Sequence, residues 1–283
     1  MLNSATSQPS PAINTTLADS VLSRRSGRGR ISLRDVSMVF QGLEREHIAL
    51  DRVDLDLQAG AFTALLGPSG CGKSTLLNII SGMLKPTTGT VSIDGAPVKE
   101  PTPLCNVVFQ QHSLFPWLTA LQNVAFGPRM LGLPESENIA LELLRMVGLE
   151  RFAKAYPKAL SGGMQQRVAI ARALATKPTL LLMDEPFGAL DAQTRSVMQD
   201  ELLKIWDRFG TSVVFITHDV DEAIYLADRV IVMRAEPGGV KADIAIDLPR
   251  PRTPETLSSP GFERLRKTIH RAVREEGLKV FNR

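Results

Sequence analysis

Cysteine is scarce in this chain, no apolar stretch is long, and the body carries no excess charge. Each shortage excludes a class of protein. Two cysteines, Cys71 and Cys105, cannot form a disulfide framework and fit a reducing cytosol. A membrane-spanning helix needs about 18–20 apolar residues in a row. The strand-like runs TLLLM (179–183) and SVVFI (212–216) fall far short, so any membrane role is peripheral. Residues 1–30 are rich in Ser, Thr, Pro and Ala and lack a continuous apolar core, which argues against a secretory signal. The net charge of +3 comes entirely from that segment, where Arg24, Arg25, Arg28 and Arg30 face one acid, Asp19. A basic arm on a neutral body is poor ground for nucleic-acid binding. Residues 1–30 are predicted to form a disordered, solvated extension. No internal repeat is present, and no Asn-Lys-x-Asp element for guanine.

The chain has 283 residues, 43% apolar and 22% charged, enough for one large domain or two modest ones. From Ile31 the pattern is strand-like. VDLDL (53–57) alternates as a half-exposed antiparallel strand does. AFTALLG (61–67) reads as a buried strand, followed by a glycine-rich loop and a helix from about Lys73 to Ser81. TVSIDG (90–95) predicts a strand closed by an Asp-Gly turn, and LCNVVFQ (104–110) another buried strand. Between about 111 and 177 the signals are helical. One face of 135–147 carries Ile139, Leu143, Leu144 and Val147, and a further helix starts near Ser161. Strand signals return at 179–184 and 212–217. Between them lies an amphipathic helix, about 191–209, with Asp191 as N-cap and Gly210 as stop. Buried strands alternating with helices predict an α/β fold with a parallel sheet, an N-terminal antiparallel β-subdomain and a helical insertion. After residue 248 come a Pro-rich linker (249–254) and a basic terminal helix (about 262–276).

The sharpest motif is the run Gly67, Pro68, Ser69, Gly70, Cys71, Gly72, Lys73, Ser74, Thr75. It fits G-x-x-x-x-G-K-[ST] at every position, between a buried strand and a helix. Glycines let backbone N–H groups turn inward around phosphate oxygens, and a helix N-terminus favours anions. Lys73 is placed to reach the β- and γ-phosphates and Ser74 to hold Mg²⁺. The motif thus predicts a P-loop nucleotide-hydrolase core. LLLMDEP (180–186) delivers Asp184 and Glu185 to a strand end, where open α/β sheets bind ligands. Asp184 is suited to Mg²⁺ and Glu185 to an attacking water. His218 follows the next buried strand, and its strand-end position favours a γ-phosphate contact over a structural role. Gln110 ends a strand and opens the helical region. It can coordinate Mg²⁺ or the attacking water, though spacing alone leaves a structural role equally open. Cys71 lies inside the phosphate loop, so a bulky thiol reagent is expected to inhibit, with ATP protecting.

With LSGGMQQ (160–166) between Gln110 and Asp184, these elements resemble the ATP-binding subunits of ABC transporters, from about Ile31 to Met233. GALD (188–191) and the histidine strengthen the likeness. The resemblance implies two subunits paired head to tail, with ATP at one phosphate loop covered by Ser161, Gly162 and Gly163 of the other. It implies Asp191 across the dimer interface and Phe40 stacked on adenine. Met164 stands where many relatives have glutamine, but the phosphate-facing Ser-Gly-Gly is intact. NVVFQQHSLFPWLTALQNVAFG (106–127), DEPFGALDAQTR (184–195) and DLPRPR (247–252) look like the nitrate/sulfonate/taurine type of bacterial importer. That likeness implies ATP and Mg²⁺ as ligands. It also implies two transmembrane permease subunits, a substrate-binding protein outside the membrane, and a peripheral place on the cytoplasmic face of the inner membrane. Leu114, Phe115, Pro116, Trp117 and Leu118 are then expected to divide between the insertion's core and a permease-docking groove. A soluble ABC-type ATPase of translation or DNA repair is the rival reading. Such proteins usually carry two nucleotide halves or long coiled-coil insertions, and this chain has neither.

Overall fold

The computed structural model describes residues 27–281, apart from 43–45, 112, 189 and 236. Alternating apolar and polar residues build the first sheet. Strands β1 (Ile31–Gln41), β2 (Glu46–Leu57), β4 (Thr88–Ile93) and β5 (Ala96–Pro97) pair antiparallel in the order β2-β1-β4-β5. In β2, Val53, Leu55 and Leu57 are buried while Asp54 is exposed, as the alternation predicts. Asp94 and Gly95 both take positive φ, the backbone that a two-residue hairpin between β4 and β5 requires.

Continuous apolar runs build the second sheet. Its order is β10-β9-β3-β8-β7-β6. Strands β3 (Phe62–Leu66), β6 (Cys105–Val108), β7 (Leu180–Asp184), β8 (Ser212–Ile216) and β9 (Arg229–Arg234) run parallel. Strand β10 (Gly239–Ala245) closes the edge antiparallel. Every residue of β3 and β8 is buried, because both faces of this sheet are covered. Phe62, Ala64 and Leu66 enter one core. Leu65 points into the other, shared with the antiparallel sheet and α1 (Lys73–Ile80).

The middle of the chain is helical: α2 (Ala120–Met130), α3 (Ser136–Met146) and α4 (Gly162–Leu174). Helix α5 (Ala192–Phe209) buries Met198, Leu202, Ile205 and Phe209 on one face and ends at Gly210 in the left-handed region. Helix α6 (Val220–Leu226) follows β8.

Three boundaries differ from the sequence reading. The 104–110 run is an edge strand, with Leu104 50% exposed, since β6 has a neighbour on one side only. Residues 28–30, assigned to the disordered extension, are pinned. The N–H groups of Gly29 and Arg30 donate to the Asp94 carboxylate, and the Ser212 hydroxyl donates to Arg28 O. The rest of that predicted extension, 1–26, lies outside the described residues. The Pro-rich segment 249–254 is a clamp, not a loose linker. The buried Arg252 guanidinium donates to Ile224 O, Tyr225 O and Ala227 O at the end of α6. Arg250 bonds Asp228 and Leu226 O and lies 4.3 Å over the Trp206 ring. Helix α7 (Pro260–Phe281) then sends Phe262, Leu265 and Ile269 into the main core.

An aromatic row on one face of the parallel sheet positions the loops above it. Phe215 of β8 touches Phe62 of β3 and Phe187, both at 5.8 Å between centroids. Phe187 follows the acidic end of β7, so its burial fixes that loop against β8. Truncating a fully buried Phe costs about 3–5 kcal/mol. Phe187→Ala is expected to lose stability in that range, read by urea denaturation, with turnover falling as the loop loosens.

Candidate active site

The strand order β3-β8-β7 sets three loops side by side at one edge of the sheet. The phosphate loop leaves β3, His218 leaves β8, and Asp184 ends β7. The loop itself is shaped by Gly72, which caps α1 in the left-handed conformation. A Cβ there would lie 2.7 Å from both Ala49 O and Leu50 Cδ2, so only glycine fits. The first turn of α1 has neither a side-chain cap nor an acid. Its backbone N–H groups and positive dipole end therefore suit an anionic group. Lys73 is buried, and its ammonium donates to Gly67 O at 2.8 Å and Pro68 O at 2.9 Å, with Cys71 Sγ at 3.7 Å.

Asp184 and Ser74 meet at the foot of this loop. Burial pushes the Asp184 carboxyl up. The nearby Ser74 hydroxyl opposes that, Glu185's charge adds to it, and Lys73's charge opposes it. A hard dication beside Asp184 and Ser74 would relieve the cost, and two hard oxygens suit Mg²⁺. Among the described residues no group of three or more His, Cys, Asp or Glu could hold a metal. Asp184 and Ser74 are oxygen donors of the kind that would fit Mg²⁺.

Glu185, just past β7, adopts φ 44°, and its N–H donates to Ile216 O at 3.0 Å. Its Oε2 lies 3.4 Å from His218 Nδ1. A Cβ placed on Gly188 would stand 3.4 Å from Gln110 Nε2 and 3.8 Å from Glu185 Oε2. Gln110, Glu185 and His218 thus converge, with glycine as the floor between the first two. The sequence does not mark Gly188 as a site residue, because nothing in DEPFG shows that a side chain there would meet Gln110.

The structure does not bring every expected residue to this edge. Ser161 caps α4, accepting from Met164 N, and Ser161 and Gly162 are exposed. Gly163 is buried, and a Cβ on it would lie 2.9 Å from Thr194 Cγ2 at the head of α5. Asp191 caps α5 through the Thr194 N–H and hydroxyl, which hold its carboxyl below the usual range. The LSGGMQQ stretch and Asp191 therefore form a pair of adjoining helix heads. Phe40 lies on the antiparallel ribbon opposite His47 and is 40% exposed. Thr75 lies half-buried on α1. Gly70, Ser69 and Pro68 form the crest of the loop.

One expectation is overturned. Cys71 is 1% exposed, packed beneath the loop where a Cβ on Gly67 or Gly238 would strike its Sγ or its carbonyl oxygen. Burial raises its pKa, against the opposing charge of Lys73. Cys105 is also buried, its thiol pushed up to about 12 by desolvation. Reactivity needs an accessible thiolate. Native protein at pH 7 is expected to resist iodoacetamide at both cysteines without ATP. Peptide mapping should show modification only after unfolding; rapid labelling of native Cys71 would refute the packing.

Comparison with known proteins identifies the family. The family profile described as ABC transporter matches residues 50–188. An uncharacterized ABC transporter ATP-binding protein of Methanocaldococcus jannaschii is 48% identical over 92% of this chain and 97% of its own length. The taurine import ATP-binding protein of Rhizobium johnstonii is 50% identical over 78% of this chain and 87% of its own. The aliphatic sulfonates import ATP-binding protein of Bacillus cereus is 43% identical over 88% and 97%. Among solved structures, a dimeric post-hydrolysis ATP-binding cassette bound to ADP and phosphate is 37% identical, with a TM-score of 0.68, over 77% of this chain and 99% of that one. A phosphate loop, an acidic strand end, a histidine and a signature helix on one P-loop fold place this chain in the ABC transporter family, as one of its ATP-hydrolysing, ATP-binding proteins.

Proposed function

We propose that the chain energises import of a small solute through a membrane permease, working as a head-to-tail pair of copies. The observation that carries this reading is the exposed head of α4. Ser161 and Gly162 present a hydroxyl and backbone N–H groups at the start of a 13-residue helix with no acid in its first turn. That is a site for an anion, and it is separate from the loop of residues 67–75. A second copy supplies the missing half of each site.

In this reading the α1 N–H groups and Lys73 bind the β- and γ-phosphates. Ser74, Gln110 and Asp184 hold Mg²⁺. When bound, the metal neutralises charge developing on the phosphate oxygens. Glu185 orients and deprotonates the attacking water, at the point where Gln110 reports from the helical region. His218 donates to the γ-phosphate while its Nδ1 faces Glu185. Ser161, Gly162 and Gly163 of the partner copy close over the phosphates, with Asp191 beside them. Phe40 stacks on the adenine.

The helical region offers the surface that turns closure into work. The 115–119 turn is held by buried Asn123, which accepts from Phe115 N and donates to Phe115 O, Leu118 O and Thr119 O. Leu114 packs on the core, whereas Trp117 is 69% and Met130 70% exposed. Phe115 lies 5.6 Å from Trp117 and 4.7 Å from Phe126, itself 38% exposed. An exposed apolar patch of this kind marks a protein contact, and the permease's cytoplasmic segment is the proposed occupant. No described helix is long and apolar enough to cross a membrane. The subunit then sits on the cytoplasmic face of the inner membrane, below two permease subunits that receive solute from an external binding protein. An aliphatic sulfonate is the leading solute, with taurine and nitrate next.

Two variants test this. Glu185→Gln should bind ATP normally but turn over about 10²–10⁴-fold more slowly, the usual worth of a positioned base. It should run as a dimer with ATP on size exclusion; near-wild-type turnover would remove Glu185 from the role. Ser161→Arg should abolish hydrolysis while leaving ATP binding by the monomer intact. Loss of monomer binding would instead place Ser161 in its own copy's site.

A further inference from the structure

The His218 side chain is two-thirds exposed. What fixes it lies underneath. Thr217, buried before it, donates its N–H to Leu65 O of β3 at 3.2 Å. The Thr217 hydroxyl accepts from Asp219 N at 3.0 Å and donates to Glu222 Oε2. Glu222, buried on α6, accepts at its other oxygen from Gln199 Nε2 of α5 at 3.0 Å. Asp219 caps α6 through Asp221 N and Glu222 N, and its Oδ2 lies 3.6 Å from Arg195 Nη1. Arg195 also donates to Leu190 O, in the loop that follows Glu185. The turn carrying His218 is therefore tied on both sides, and its ties run to the helix that begins at Asp191.

We infer that Glu222 is a positioning residue for the ATPase reaction: through Thr217 it sets the place of His218 against Glu185. A buried carboxyl is a costly choice for a purely structural bond. Desolvation raises the Glu222 pKa, while the Thr217 and Gln199 hydrogen bonds lower it. Those two bonds use both oxygens, one on the His218 turn and one on α5. A shift of 1 Å at a reacting group can cost about 10²-fold in rate, so the bond's worth lies in geometry. The inference rests on the roles of Glu185 and His218 proposed above.

The test uses the full-length protein and two readouts. Glu222→Ala should lower kcat about 10–100-fold while the ADP Kd stays within about 2-fold, the split expected when only alignment is lost. Glu222→Gln, which keeps an acceptor for Thr217, should recover most of that loss. The chain has four histidines, so the imidazole signals are few in NMR, and His218→Ala identifies the one concerned. That signal should move or broaden in Glu222→Ala and stay in place in Glu222→Gln. If Glu222→Ala fails to fold, Thr217→Val removes the same bond and should give the same split. A folded Glu222→Ala or Thr217→Val with normal kcat, or with an unmoved His218 signal, overturns the inference. Normal turnover in His218→Ala would instead overturn the reading on which it rests.

Discussion

Three neighbouring parallel strands govern the site. Because β8 lies between β3 and β7, the loop of residues 67–75, His218 and the acidic pair Asp184 and Glu185 leave neighbouring strands at one edge. Side chains then need only short reaches. Glu185 meets His218 across one strand spacing, and Ser74 meets Asp184 across two. The covered faces keep this spacing rigid, since neither β3 nor β8 has an exposed residue. Open α/β sheets bind ligands at such an edge because the strands end there together and the helix N-termini point toward it.

Much of this was legible in the sequence, for physical reasons. A buried parallel strand must be continuously apolar, so LLLM before Asp184 and SVVFI before Thr217 announce both location and direction. The phosphate loop is legible because the G-x-x-x-x-G-K-[ST] spacing is local, although Ala49 O and Leu50 Cδ2 also require the glycine at Gly72. The heads of α4 and α5 are legible because Ser161 and Asp191 cap their own helices.

What was hidden depends on distant neighbours. The packing of Cys71 involves Gly238, where a Cβ would strike its carbonyl oxygen, and no local pattern links Gly238 to the loop. The segment 249–254 has the composition of a linker, and its prolines and arginines do not reveal that Arg252 finds three carbonyls at the end of α6. An apolar run such as 104–110 reads the same whether its strand is central or at an edge, since periodicity carries no information on lateral neighbours. The tie between Glu222 and Thr217 was equally silent. A Glu five residues after a Thr is ordinary on a helix, and only burial makes their bond consequential.

The tail has a consequence for where this ATPase ends. The last of the proposed site residues is His218, yet Arg252 satisfies the last carbonyls of α6, and Phe262, Leu265 and Ile269 fill the same core as Phe62 and Phe215. Buried Glu276 accepts from Ala235 N, just beyond β9. The unit that folds is therefore longer than the unit that carries the reacting groups. A gene cut at the last motif would leave a helix with bare carbonyls and a core with an open side. The boundary of this machine is drawn by solvation rather than by catalysis.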